Sequence, residues 1–136
     1  MNEQIPPPHP SRAAIDALAE RFGLPNNEWM QDWEYEVADP QRIDEFLGYA
    51  ETGPDADVAS VLMMILLQSF EDLGEEVLHD PRWERVVKLL QEQYALHRST
   101  LHYWSMPDEE PGNWWQITPL VRSVIALEAV KRAPLA

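Results

Sequence analysis

The chain has 136 residues, of which 45% are hydrophobic, enough for one domain that buries roughly two-thirds of its unfolded surface without covalent staples. It contains no cysteine, which removes disulfides, zinc knuckles and thiol catalysis together. Twenty-four acids against ten bases give a formal net charge of −14, which argues against direct contact with nucleic-acid phosphates and favours a basic partner.

Residues 1–10 carry the run IPPPHP and are expected to form a flexible proline-rich arm. They have no basic start and no apolar core of a secretion signal, so the cytoplasm is the expected address. From Ser11 the pattern becomes helical. Ser11 reads as an N-cap, Ile15, Leu18 and Phe22 recur at helical spacing, and Gly23 stops the run. Residues 24–38 break that period. Pro25, Asn26 and Asn27 make a turn, and Trp33, Tyr35 and Val37 then alternate like a strand with no partner strand elsewhere, so an extended or irregular segment is expected.

Asp39-Pro40 is a helix start, with Asp as N-cap and Pro at the first helical position. Ile43, Phe46, Leu47 and Ala50 form the apolar face of that helix, which ends near Glu51. After the Gly53-Pro54 turn, Asp55 or Asp57 caps a helix over about 56–73 that is apolar nearly all round and therefore expected to be the most buried one. Its longest mostly apolar run, Val58 to Leu67, is half of what a bilayer requires, so no membrane span is expected. Asp80-Pro81 repeats the start signal for a helix to about residue 95. Leu96 to Ser105 keeps helical spacing, with a break expected near Tyr94 to His97. Residues 106–116 form a loop, and Thr118-Pro119 opens a last helix to about Arg132. The sequence therefore predicts an all-α fold, a compact single domain over 11–136 of five or six helices, with monomer or homodimer left open.

The charge is unevenly spread. Residues 28–80 hold fifteen acids and one base, Arg42, which is the whole net excess of the chain. Within 28–57 the acids are interleaved with Trp29, Trp33, Tyr35 and Tyr49. Rings supply contact area and carboxylates supply steering, so this stretch is the candidate partner-binding surface. Its residues are Glu28, Asp32, Trp33, Glu34, Tyr35, Glu36, Asp44, Glu45, Glu51, Asp55 and Asp57. The competing reading packs Trp33 and Tyr35 on the core and leaves the acids to solvate the exterior. A second acidic group, Glu71, Asp72, Glu75 and Glu76, lies at or past a helix C-terminus, where the dipole opposes it, and is expected to be relieved by Arg82, Arg85 and Lys88.

Catalytic patterns are sparse. The five glycines are scattered, with no phosphate loop and no nucleophile elbow. Glu76 and His79 have the spacing of a di-iron half-site, but a second pair is missing, and His97 and His102 fall on different faces of a helix. In HRSTLHYWS, Ser99 and Thr100 are expected to face outward or bond backbone, with Leu101, Tyr103 and Trp104 reaching the core. No cofactor, no metal site and no catalytic residue is expected.

The stretches WEYEVADPQRIDEFL, VLMMILLQSFEDL and LHRSTLHYWS, taken with the size and acidity, resemble immunity proteins of bacterial toxin–immunity systems. The resemblance covers about half the chain and carries no site residue over. It implies a non-catalytic role, in which the chain binds and neutralises a cognate toxin that acts in the cytoplasm and presents a basic surface, such as a nuclease. The alternative is an adaptor or chaperone that holds a secreted or regulatory protein in an apolar or aromatic groove.

Overall fold

The computed structural model describes residues 5–6, 8–27 and 29–132. Glu28, which the charge pattern singles out, lies outside the described residues, as do residues 1–4 and 7 of the proline-rich arm. The fold is all-α: 71% of the described residues are helical, and no strand occurs among them. Seven α-helices follow in chain order: α1 (Arg12–Phe22), α2 (Trp33–Glu36), α3 (Ile43–Glu51), α4 (Ala56–Glu71), α5 (Trp83–Glu92), α6 (Tyr94–Ser105) and α7 (Thr118–Arg132). Short 3-10 helices occupy Pro40–Arg42, Gly74–His79 and Pro111–Asn113. The chain divides into two compact units, His9–Gly74 and a second made of Met1–Pro8 with Glu75–Ala136.

In the first unit α1, α2 and α3 all pack on α4. The start signals act as the capping chemistry requires. Ser11 Oγ accepts from Ala14 N at 3.2 Å, and Gly23 closes α1 in the left-handed region at φ 65°. Asp39 Oδ1 accepts from Gln41 N at 2.9 Å and starts the 3-10 turn that leads into α3. Asp55, rather than Asp57, caps α4, accepting from Val58 N at 3.1 Å. Eleven of the sixteen α4 residues are buried, from Val58 to Phe70. Ser69 is the polar exception among them. Its hydroxyl accepts from Asp39 N at 3.0 Å and donates to Ile65 O at 2.8 Å, so a buried polar group is satisfied while the start of the 39–42 turn is fixed to α4.

Residues 33–36 differ from the expected extended segment. Glu36 N bonds Asp32 O and Val37 N bonds Trp33 O, one full helical turn. The buried set is Trp33, Glu34 and Val37, which is i, i+1, i+4, so the packing against α4 selects a helical face over the alternating pattern of the sequence.

In the second unit α5, α6 and α7 pack on one another. The break between α5 and α6 falls at Gln93, whose φ −127° and ψ 46° leave the helical region, one residue before the expected span. Asp80 bonds Arg82 N at 2.9 Å and pairs with its guanidinium at 2.7 Å, and Lys88 lies 3.9 Å from Glu92. Thr118 is not a cap. Its hydroxyl is buried and donates to Trp104 O at 2.9 Å, joining the start of α7 to the end of α6. The side chains of α6 are sorted differently from expectation as well: Thr100 is buried and Tyr103 exposed, with Leu101 and Trp104 in the core as expected. After α6, Met106 takes φ 48°, a left-handed conformation that a side chain disfavours. Arg122 supports it, donating to Ser105 O and Met106 O at 2.7 Å each while its guanidinium lies 4.1 Å from the Trp114 ring centroid.

His97 on α6 is buried, and its Nδ1 has no hydrogen-bond partner among the described residues. Desolvation pushes its pKa down from 6.5 to about 4. The folded chain therefore holds a neutral imidazole through a range where the unfolded chain takes up a proton. The stabilising contribution is complete above pH 6.5 and declines as the pH falls from 6.5 towards 4, by roughly 3 kcal/mol at most. Urea unfolding of wild type and His97→Gln at stepped pH should show their stability difference changing across that window. A difference constant with pH would refute the assignment.

Candidate partner-binding surface

The His9–Gly74 unit carries fourteen acids and three bases, a net −11, so it holds most of the −14 of the chain. The structure places the proposed contact residues in three groups. Asp32, Glu36, Asp44, Glu45, Glu51, Asp55 and Asp57 are exposed. Tyr35 is half-buried. Trp33 and Glu34 are buried, with 3% and 5% of their surface accessible, so neither presents a contact face.

Trp33 has a structural task instead. Its indole Nε1 donates to Pro25 O at 2.6 Å and ties off the loop between them. Glu34 sits in the same single turn as Asp32 and Glu36. Burial is the largest influence on it and raises its pKa, with the two neighbouring carboxylates pushing the same way.

Several exposed acids are explained by helix chemistry. Asp44 and Glu45 lie in the first turn of α3, and Asp55 and Asp57 at the start of α4, where the dipole favours negative charge. Glu45 is neutralised as well. Arg42 holds it through two bonds, Nε to Oε2 at 2.8 Å and Nη2 to Oε1 at 3.2 Å, and this pairing lowers the carboxyl pKa. The same guanidinium donates to Phe22 O at 2.9 Å and lies over the Phe22 and Phe46 rings, so the base of the acidic segment joins α3 to the end of α1.

The exposed acids do not form one continuous patch. Asp55 begins α4, whereas Asp39, three residues after α2, is bonded to Ser69 near its far end. Fourteen residues of helix separate those points, roughly 20 Å. Asp39 therefore lies at one end of α4, with Glu36 three residues before it in the chain, and Asp55 and Asp57 lie at the other. With a screening length of about 8 Å at physiological salt, the two groups act as separate centres of potential.

One aromatic of the His9–Gly74 unit is fully exposed among the described residues. Trp29, in the turn after Asn27, is 81% exposed, and its importance is not evident from the alternating pattern that surrounds it. The signal is the Pro25-Asn26-Asn27 turn just before it, since a residue at the tip of a tight turn has no neighbouring element to cover it.

Polar clefts occur in both units. A cleft of about 460 Å³ in the first is lined by Arg21, Asp44, Glu45 and Tyr49, with Arg21 lying 4.4 Å from the Tyr49 ring centroid. In the second, a cleft of about 430 Å³ between α6 and α7 contains Tyr94, Arg98, Glu128 and Arg132, and Glu128 accepts from Arg132 Nε at 2.8 Å. Ser105 lines a third, of about 330 Å³, and its hydroxyl donates to His102 O at 2.7 Å. Among the described residues no three His, Asp or Glu side chains converge as a metal site, and no helix is long and apolar enough to cross a membrane. The chain matches no protein-family model, no curated protein and no solved structure.

The buried Glu34 carboxylate makes a definite prediction. With its pKa raised from 4.5, it favours the folded state only while protonated, and that contribution is lost as the pH rises through the folded value. Glu34→Gln keeps the shape and removes the charge. It should raise the melting temperature at pH 7 by roughly 2–4 °C, with the gain shrinking as the pH falls through the raised folded value towards 4.5 and absent below it. A lower melting temperature for the variant at pH 7 would contradict it.

Proposed function

We propose that this chain is a non-catalytic acidic inhibitor of the immunity-protein class, which binds a cognate cytoplasm-acting toxin through the surface of the His9–Gly74 unit. The observation that carries the reading is the concentration of charge: net −11 in that unit, with Asp32, Glu36, Asp44, Glu51, Asp55 and Asp57 all exposed. The partner is a protein with a basic surface, of the kind a nuclease presents to phosphate. Long-range attraction speeds encounter, and a small number of buried contacts sets the lifetime of the complex. Two separated acidic centres fit a partner whose basic groups span roughly 20 Å.

The test is co-expression with the toxic domain of a neighbouring secreted protein, followed by kinetics on the purified pair. Rescue of growth is expected, with an association rate that falls about tenfold or more from low to high salt. The combined substitution of Asp32, Glu36 and Asp57 by lysine should slow association by a similar factor and leave the helical circular dichroism unchanged, because all three side chains are exposed. A salt-indifferent association rate would remove the charge argument, and unrelieved toxicity would remove the role.

An adaptor role is the second reading, supported by Leu127 and Val130 on α7, which are 52% and 73% exposed one helical turn apart. It requires an affinity that survives high salt and collapses when both are changed to aspartate.

A further inference from the structure

Trp29 is the single large hydrophobic side chain left exposed among the described residues of the His9–Gly74 unit. An indole of this kind offers roughly 200 Å² of mostly apolar surface, and leaving it in water is unfavourable unless something covers it. The segment that carries it is built, and its base is clamped. Trp33 Nε1 closes the loop onto Pro25 O at 2.6 Å. Asn26 is gripped from α1 on both sides of its amide: Arg12 Nη2 donates to its Oδ1 at 2.6 Å, and its Nδ2 donates to Asp16 Oδ1 at 2.9 Å. Arg12 and Asp16 are themselves paired at 3.0 Å. At the tip, Asn27 Oδ1 accepts from Trp29 N at 3.1 Å, and Asn27 O accepts from Met30 N at 3.2 Å. The indole is thus held out by a loop whose two ends are fixed.

Two carboxylates accompany it. Asp32 follows three residues later, which places the two Cα atoms within about 11 Å. Glu36 is held beside it, its Oε2 accepting from Asp32 N at 3.0 Å. Both are exposed, and no cation pairs with either among the described residues.

We infer that Trp29, Asp32 and Glu36 form a receptor for an arginine side chain on the surface of a basic protein. A guanidinium is planar and weakly hydrated, so it stacks on an indole face while its edge N–H groups reach carboxylates. An ammonium matches the charge and lacks the flat face. Because the loop is closed before the partner arrives, little order is lost on binding. The inference rests on the reading of this unit as an acidic docking surface, and adds which side chains make the specific contact and with what group.

The test uses the full chain and two probes, an arginine-rich peptide and a lysine-rich peptide of equal length and charge. The six tryptophans give separate indole N–H signals in a proton–nitrogen correlation spectrum, and Trp29→Phe identifies the one of interest. The arginine peptide is expected to shift that signal saturably and the lysine peptide to shift it less. Trp29→Ala should weaken the arginine peptide about three- to tenfold, with Trp29→Phe in between. Asp32→Asn with Glu36→Gln should reduce the shift. If the arginine peptide binds while the Trp29 signal stays in place, the receptor is refuted and the acidic docking surface survives. Equal shifts from both peptides refute the guanidinium assignment. If neither peptide binds at low salt, the docking surface fails together with it.

Discussion

The burial of α4 is the constraint on which the His9–Gly74 unit depends. A helix with eleven buried residues out of sixteen must be covered on several sides, and α1, α2 and α3 are all recruited to it. Each fully buried Leu, Ile, Met or Phe contributes roughly 1.5–3 kcal/mol, far more than any cap or surface ion pair in the unit. That difference in scale explains the fate of Trp33 and Glu34. Packing Trp33 and Val37 against α4 sets the phase of the short turn, and Glu34, lying next to Trp33, is carried inward although its charge opposes it.

The same hierarchy shapes the acidic surface. Carboxylates settle where helix starts accept them, at the first turns of α3 and α4, and the single arginine of the segment is spent on Glu45 and on the end of α1. What is offered to the outside is a framework decorated at two ends. Part of the negative field, from Asp44, Glu45, Asp55 and Asp57, comes from residues that also stabilise the helices beneath them, so fold and surface potential are not independent designs.

Much of the architecture is legible in the sequence because punctuation and periodicity agree. Ser11 and Gly23 bound α1, Asp55 starts α4, and the apolar run from Val58 identifies the most buried helix. The start signal at Thr118 gives the right boundary for the wrong reason, since its hydroxyl bonds the backbone of α6. The residues from Leu24 to Ala38 were opaque for a physical cause. Trp33, Tyr35 and Val37 satisfy a period of two, whereas the three-dimensional surface that receives them selects Trp33, Glu34 and Val37, and no local rule contains that surface. The candidate site suffers from the same gap. Acidity announces which stretch faces water on average, but it cannot distinguish buried Glu34 from exposed Glu36 two residues later, nor say that among four interleaved aromatics Trp29 is the one held outside.

The three bases of the His9–Gly74 unit, Arg12, Arg21 and Arg42, are all arginines, each engaged with a neighbouring side chain, and the lysines of the chain, Lys88 and Lys131, both lie in the other unit. No lysine amine therefore lies among the exposed carboxylates of the His9–Gly74 unit. Acylating reagents and lysine-directed cross-linkers would modify the other unit and leave the carboxylates of this one chemically unaltered.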